Sequence, residues 1–449
     1  MGSRLTTLLL LITLLFGFTY VAKAEVQNVR VGGDIEVRGI WQKDLDLIDE
    51  EGTPKIAQFA YQIARIYVSA DLTDNVNTYV RLLNKRWWGD YYGTDWYPIG
   101  NIYDADSNDV NIDLAYLTLA EMFGYPVSLT VGRQELKYGE GFLVGDGVND
   151  IWINSTSKTA AYVYGARKAF DAIKLSSRYE DSTIDLITAK LSEGYGVGSD
   201  ENLYGVNWNL ATDIYGTWDF AVFFKEQNDS YKEGKDMTTA FSIRGEGDIP
   251  QVTVGKLHVK GEVVKEIGKV EGGEPDGDEA DLDAWGGYVG VKYTFENPYE
   301  PYIGLAYTRM TGDKANTDKV EGFDPMYQDE KYGELADVLL FSGRATNAKI
   351  AQVSFGIKPV EKLAIDIDYY TFEADQAATS PYYIEKEADN RKLGNELDLA
   401  VTYDYTEDVQ FGLTCAVFNP GKQIKDLNDY YDLDTAQAQA VIGSVKVTF

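Results

Sequence analysis

His258 is the only histidine in this 449-residue chain, so histidine chemistry can be tested at a single position. A histidine that acts as a general base needs a nucleophile held beside it. Val259 follows His258, and its own segment supplies no serine, threonine or cysteine placed to pair with the ring. The sequence therefore predicts no enzyme, no catalytic residue and no cofactor.

Cationic side chains recur at alternate positions of segments whose other positions are apolar, and the run at Lys256, His258 and Lys260 is the clearest example. Alternate residues of a β-strand share one face. Rings of arginine or lysine around a narrow pore favour anions. If the segments enclose a pore, its predicted lumen and selectivity residues are Arg38, Arg65, Arg81, Lys85, Lys174, Arg178, Arg244, Lys256, His258, Lys260 and Lys292.

Acidic residues occupy the same predicted faces as these cations. They are Asp34, Glu36, Glu246, Glu262, Asp366 and Asp368. Opposite charges on adjacent strands pair across the ladder. Two interpretations therefore stay open: an anion-selective path, or cations that serve only in structural ion pairs.

The segments that carry these residues alternate with a period of two. Leu363, Ile365 and Ile367 oppose Asp366 and Asp368, and the last segment alternates in the same way up to Phe449. One apolar face and one polar face is the pattern of a strand that faces lipid on one side. After the N-terminus no apolar run is long enough to cross a bilayer as a helix, so the sequence predicts that any membrane crossing is by strands.

The N-terminus has the layout of a cleaved signal peptide, with Arg4, an apolar run from Leu8 to Phe18, and Ala22-Lys23-Ala24. We predict a signal peptide at residues 1–24 and one domain at residues 25–449. Loss of Arg4 and Lys23 with the signal lowers the formal net charge from −31 to −33. A chain this acidic is not expected to bind nucleic acid through phosphates.

The alternation predicts strands that include Val76–Trp87, Val127–Tyr138 and Val252–Val264. Connections between the strand segments alternate between short and long. The short ones, such as Asp71 to Val76 and Asn297 to Pro301, contain residues that favour turns, whereas the third and seventh long ones run from Gly139 to Lys168 and from Gly312 to Asn347. This alternation predicts an all-β fold: a transmembrane, antiparallel, up-and-down β-barrel of about 18 strands with short periplasmic turns and long extracellular loops. The expected location is the outer membrane of a Gram-negative bacterium.

One long connection, from Glu271 to Asp283, is rich in carboxylates, which are Glu271, Glu274, Asp276, Asp278, Glu279, Asp281 and Asp283. Such a segment is either a solvated outer loop or a divalent-cation site. It lacks the ligand order and closing glutamate of an EF-hand loop. We therefore predict no metal site.

Four short motifs resemble the alginate-export family of bacterial outer-membrane β-barrel porins: 131–135 (VGRQE) with 138–141 (YGEG), 169–175 (AFDAIKL), 322–327 (GFDPMY), and 395–399 (NELDL) with 417–421 (VFNPG). The resemblance implies a monomeric barrel of eighteen strands and a lumen lined by arginines that passes an anionic polysaccharide or other hydrophilic solutes. Carried over by position, it implies that Arg133 is a lumen residue. The alternation instead puts Arg133 in phase with the lipid-facing Val131, unless a bulge at Gly132 shifts the register.

The favoured function is an outer-membrane porin for passive diffusion of small hydrophilic solutes, anionic ones among them, or of oligosaccharides. The alternatives are a dedicated exporter of an anionic, alginate-like polysaccharide, and a plugged barrel whose long acidic loops have a binding or structural role. Expected partners are outer-membrane lipid and lipopolysaccharide, hydrophilic or anionic solutes, and the barrel-assembly machinery, through the C-terminal strand that ends at Phe449.

Overall fold

The structure is a computed structural model that describes residues 26–49, 55–88, 110–145, 169–192, 200–213, 216–228, 234–249, 254–271, 279–314, 317–341, 344–377 and 390–449. The predicted signal peptide at residues 1–24 lies outside the described residues.

Long strands dominate the described part of the chain. They are β1 (Gln27–Lys43), β2 (Ile56–Thr73), β3 (Val76–Trp87), β4 (Asn111–Leu119), β5 (Val127–Gln134), β6 (Phe170–Tyr179), β7 (Ser182–Ser192), β8 (Asp200–Thr212), β9 (Gly216–Asn228), β10 (Lys235–Ile249), β11 (Gly255–Val270), β12 (Ala280–Phe295), β13 (Tyr302–Met310), β14 (Ala348–Val360), β15 (Leu363–Ala374), β16 (Lys392–Asp404), β17 (Val409–Pro420) and β18 (Ala438–Thr448).

These strands close into a barrel. Each pairs antiparallel with the next in sequence, and β1 also pairs with β18, so that Ile40 has Phe59 as its partner on one side and Ile442 on the other. Closure leaves the sheet without a free edge, which is the requirement for strands in a bilayer. The predicted antiparallel barrel of eighteen strands is confirmed.

The two faces of the wall differ as the alternation predicted. Phe241, Ile243, Val263 and Val289 are large apolar side chains that stay exposed on the outside of the wall. Their neighbours in sequence, such as Ser242, point inward and are buried. Exposed apolar residues in a continuous band are stable only against lipid, so this band marks the membrane-facing surface.

The strand ends separate short turns from long loops. β2 and β3 are joined by two residues, whereas β13 and β14 are 37 residues apart in the sequence. Two predicted strands have different bounds in the structure. β5 was predicted to reach Tyr138 but ends at Gln134, because Leu136 leaves the wall and is buried in the lumen. β11 was predicted to end at Val264 but continues to Val270, paired with the start of β12.

Two long loops fold into the barrel and form its core. Loop 3 joins β5 to β6, loop 7 joins β13 to β14, and they meet where Val144 pairs with Tyr327 in a parallel bridge. Phe142 and Tyr327 have no exposed surface. Tyr327 packs against the inward Phe170 and Phe142 against the inward Tyr288, all within one hydrophobic cluster. Loops 3 and 7 therefore narrow the lumen from inside.

Small elements complete the described part of the chain. Helix α1 (Ala336–Leu339) lies in loop 7, and helix α2 (Lys422–Tyr430) lies between β17 and β18. Ile48–Asp49 pairs with Asp434–Thr435, and Lys319–Val320 runs parallel to the start of β12. None of the helices in the described ranges is long and apolar enough to span a membrane.

Candidate functional site

The lumen is the candidate functional site, and the register shows which predicted cations face it. Residues opposite one another in the ladder share a face. Arg38 is opposite the buried Tyr61, Lys174 is opposite the buried Ile187, and His258 is opposite Lys292. The predicted residues on the inward face are Arg38, Arg65, Arg81, Lys85, Lys174, Arg178, Arg244, Lys256, His258, Lys260 and Lys292.

Arg133 is a correction, because the structure places it on the outer face. It is opposite Ala115 on β4 and Asp171 on β6, and its Nη1 lies 3.4 Å from Asp171 Oδ2. The two ladders of β5 have no register shift at Gly132, so the bulge that would turn Arg133 inward is absent from them. The alternation placed Arg133 correctly and the position implied by the family resemblance was wrong.

Glu140 of loop 3 joins two of the predicted cations. Its Oε1 accepts a hydrogen bond of 3.1 Å from Arg244 Nη2, and its Oε2 accepts one of 3.0 Å from Lys260 Nζ. Burial alone would raise the pKa of Glu140, but the bonds from Lys260 and Arg244 outweigh it and lower that pKa below its usual range. Glu140 is therefore an ionised clamp that fixes loop 3 to β10 and β11.

Arg244 is the most heavily bonded cation of the lumen, with 5% of its side chain exposed. It also pairs with Asp219 Oδ2 at 2.9 Å and with Glu246 Oε2 at 2.7 Å, and its Nε donates to the Tyr288 hydroxyl at 3.2 Å. A guanidinium surrounded by carboxylates on three sides holds strands and loop together. Its charge is not available to a passing anion.

Cations on β1 to β3 are also paired. Arg65 Nη1 is 2.9 Å from Asp34 Oδ2, and Arg38 Nε is 2.6 Å from Glu36 Oε1. Arg81 bonds both Asp113 and Glu135. Much of the predicted basic set therefore belongs to structural ion pairs, such as Arg65–Asp34 across the ladder and Arg38–Glu36 within β1. Structural pairing was one of the two interpretations that the sequence left open.

Four inward cations differ from the others. Within the described residues, Lys174, Arg178, Lys256 and Lys292 have no carboxylate within 4.0 Å. The ammonium of Lys292 lies 3.8 Å from the ring centroid of Tyr302. Arg178, Lys256 and Lys292 are exposed, and each lies three residues or fewer from the short-turn end of its strand. The part of the lumen near the short turns thus has accessible positive charge.

His258 has polar partners but no nucleophile among them. Its Nδ1 is 3.0 Å from Asp248 Oδ1, and its Nε2 is 3.9 Å from Glu246 Oε2. Both partners are carboxylates on β10, the neighbouring strand. The two contacts orient the ring toward β10, and His258 lies on the inward face of the wall.

Loop 7 is held by carboxylates of β16. Glu396 is fully buried and accepts hydrogen bonds of 2.6 Å from the backbone nitrogens of Leu335 and Ala336. Asp398 Oδ2 accepts one of 3.0 Å from the backbone nitrogen of Glu334. Burial, with a contribution from the nearby Glu396, raises the pKa of Glu334 to about 8. This docking places a row of carboxyl groups beside α1.

The structure adds lumen residues that the sequence analysis missed. Lys225 of β9 faces inward and pairs with Asp324 of loop 7, and Lys446 of β18 is opposite Glu36. The signal for Lys225 was weak because both faces of β9 are apolar: Phe223 points inward and Phe224 points outward. Glu140 lies in a loop, where alternation gives no information about direction.

The acidic segment at 271–283 is only partly described. Glu274, Asp276 and Asp278 lie outside the described residues. Glu279 bonds Lys269, and Asp283 bonds both Lys265 and Lys319. Two of the described carboxylates of this segment, Glu279 and Asp283, are therefore engaged with lysines of β11 and loop 7.

Comparison with solved structures gives the same fold. The chain is similar to Pseudomonas aeruginosa OccK8 (OprE), with a TM-score of 0.55, 11% identity, and coverage of 93% of this chain and 98% of that one. It is also similar to Acinetobacter baumannii OccAB4, with a TM-score of 0.54, 12% identity, and coverage of 94% and 99%. The outer membrane protein OprD from Pseudomonas aeruginosa gives a TM-score of 0.52, 11% identity, and coverage of 95% and 96%.

Sequence comparison with curated proteins gives no match. The family model for alginate export matches residues 30–434, which is most of the barrel. Together with a closed barrel that has the fold of outer-membrane proteins, this match identifies the group: the chain is a β-barrel of the outer membrane and belongs to the alginate export family.

Proposed function

We propose that this protein is a channel for passive diffusion of small hydrophilic solutes across the outer membrane. The observation that carries the proposal is that the inward cations near the short turns are exposed to solvent. Arg178, Lys256 and Lys292 point into a closed barrel and yet are exposed. Because these side chains lie within three residues of the strand ends, their exposure shows that the mouth of the lumen on the short-turn side is open to water. A barrel of this strand number is too wide for side chains to fill.

The finer part of the proposal is a preference for anions. Most lumen cations are neutralised by carboxylates, as Arg244 and Arg65 are, so they contribute little net field. Lys174, Arg178, Lys256 and Lys292 have no such partner among the described residues, and cations that line a narrow path attract anions. Loops 3 and 7 narrow the lumen between the long-loop end and this basic region, which favours small solutes over large ones.

Planar-bilayer recording tests both parts. Under a potassium chloride gradient the reversal potential should have the sign of chloride preference. The double variant Lys256→Gln/Lys292→Gln should lower that preference, while the control variant Lys269→Gln, on the outer wall, should not. Absence of any ion current would remove the channel proposal. Current with cation preference would leave the channel and remove only the preference for anions.

Export of an anionic polysaccharide is the second candidate, because the family match favours it. The paired state of Arg38, Arg65, Arg81 and Arg244 argues against it, since a polyuronate needs a continuous row of available cations. Measured permeability to uronate oligomers separates the two. A permeability that stays high as the oligomer lengthens would favour the exporter.

A plugged barrel with a binding or structural role is the third candidate, supported by the packing of loops 3 and 7 against each other in the lumen. Liposome swelling separates it from the channel. Proteoliposomes that fail to swell in small sugars, and that pass no current, would favour a plugged barrel.

A further inference from the structure

The outer wall has a compact basic patch at the long-loop end of β13 to β16. Arg309, Lys349, Glu373 and Lys392 are consecutive partners in the register of these four strands, and Arg391 precedes Lys392. Arg309 shares its face with the exposed Tyr307 and Leu305, so the row faces away from the lumen. In a chain of net charge −31, a local excess of cations is unusual.

A single buried carboxylate organises the patch. Asp375 Oδ1 lies 2.9 Å from Arg309 Nε and 3.1 Å from Lys349 Nζ, with 1% of the Asp375 side chain exposed. Its Oδ2 accepts a bond from the backbone nitrogen of Gly312, and its carbonyl accepts a 2.6 Å bond from Arg391 Nη1. Burial alone would raise the pKa of Asp375, but the bonds from Arg309, Gly312 and Lys349 lower it.

The cations keep accessible surface despite this bond. Arg309 is 54% exposed and Lys349 is 27% exposed. On its other side Arg309 faces Gly287, which has no side chain to cover it. The four cations Arg309, Lys349, Arg391 and Lys392 meet two carboxylates among the described residues of the patch, Asp375 and Glu373. The patch therefore keeps a net positive charge, and Asp375 fixes the positions of Arg309 and Lys349.

An apolar band lies directly below the patch. Four residues from Arg309, Lys349 and Glu373 along their strands, toward the short turns, the outward residues are Leu305, Val353 and Tyr369, and Leu397 continues the row on β16. Leu305, Tyr369 and Leu397 are exposed. Held cations above an exposed apolar surface match an amphiphile that has an anionic headgroup and hydrocarbon chains.

We propose that the outer-wall patch Arg309–Lys349–Lys392, positioned by Asp375, binds the phosphorylated headgroup of lipopolysaccharide in the outer leaflet. Arg309 and Lys349 donate to phosphate oxygens, and the lipid chains lie along Leu305, Tyr369 and Leu397. The site lies outside the lumen and does not depend on what the channel conducts. Glu373 is the exposed acid of the row and weakens binding by repulsion.

Lipid binding to the full-length barrel in detergent micelles tests this site, with native mass spectrometry or the lipid-induced rise in unfolding temperature as the readout. The probes are phosphorylated lipid A, dephosphorylated lipid A and inorganic phosphate. Only the first should bind strongly, because it alone combines headgroup and chains. Equal binding of dephosphorylated lipid A, or saturation by inorganic phosphate alone, would overturn the proposal.

Variants sharpen the test. At about 1 kcal/mol for each cation near an anionic lipid surface, Arg309→Ala/Lys349→Ala should weaken binding roughly 30-fold. Lys392→Ala should weaken it about fivefold and leaves the partners of Asp375 in place, so it covers the case in which the double variant misfolds. Glu373→Gln should strengthen binding. Lys235→Ala, at the rim of β10, is the matched control and should have no effect; unchanged binding in Lys392→Ala and Glu373→Gln would refute the site.

Discussion

Glu140 provides the sharpest test of how loop 3 is held in the lumen. The side chain of Glu140 is 34% exposed and bonds Lys260 and Arg244. When Glu140 is removed, Arg244 keeps its other partners, Asp219 and Glu246. Because the pair is partly exposed, each lost bond is worth about 1 kcal/mol rather than the full value of a charged hydrogen bond. Glu140→Ala should then lower the ratio of docked to undocked loop 3 roughly 30-fold.

Single-channel recording is the assay for this change. Glu140→Ala should raise open-channel noise and the frequency of larger conductance steps. Glu140→Gln keeps the size of the side chain but removes its charge, so it should shift the reversal potential toward anions with a smaller rise in noise. Glu407→Gln, at an exposed position of the short turn between β16 and β17, is the control. Wild-type noise and selectivity in both Glu140 variants would refute the clamp.

The contribution of Glu140 to the docking of loop 3 should also depend on pH. Its pKa in the folded barrel is lowered below the ordinary value of 4.5. The ionised form is therefore favoured by docking, and this contribution is present above pH 4.5 and lost as the pH falls through the lowered pKa. The difference in conductance noise between Glu140→Ala and wild type should therefore stay constant from pH 7 to pH 5 and shrink only in more acidic solution. A difference that already shrinks between pH 7 and pH 5 would contradict the assignment.

Three further predictions concern Gly132 in the wall and Glu396 and Glu334 at the docking site of loop 7. Gly132 has φ of +123°, and an added Cβ would lie 2.3 Å from the carbonyl oxygen of Ala115, so Gly132→Ala should destabilise the barrel by about 1–3 kcal/mol, measured by urea unfolding in micelles. Glu396→Ala leaves the backbone nitrogens of Leu335 and Ala336 without acceptors and should cost about 2–3 kcal/mol in the same assay; no loss would show that loop 7 is held elsewhere. The pKa of Glu334 is raised from 4.5 to about 8, so the unfolded chain loses this proton first and the stability of the docked loop should fall as the pH rises from 4.5 to 8. Heat-induced unfolding at pH 5 and pH 9 measures that difference, and Glu334→Gln should reduce it.

The local pattern of the sequence was sufficient to predict the strands of the barrel wall. The run Val76–Trp87 was predicted with the bounds that β3 has in the structure, because alternation and turn residues are properties of adjacent positions. The same alternation placed Arg133 on the outer face, against the position that the family motif implied. It was less informative for β9, where Phe223 and Phe224 make both faces apolar.

The ion-pair partners of the charged residues, and the paths of loops 3 and 7, are set only when the barrel closes. Glu140 meets Arg244 and Lys260 across 104 and 120 positions of sequence, and Asp375 meets Arg309 across 66. Such pairs depend on strand register, and in the first two also on the path of an irregular loop, which alternation does not encode. The sequence by itself therefore determined which residues face water and which face lipid, since a strand repeats every two residues. Only the tertiary structure decided which cations are neutralised and which remain available, since that depends on carboxylates brought together when the wall closes and loops 3 and 7 fold inside it.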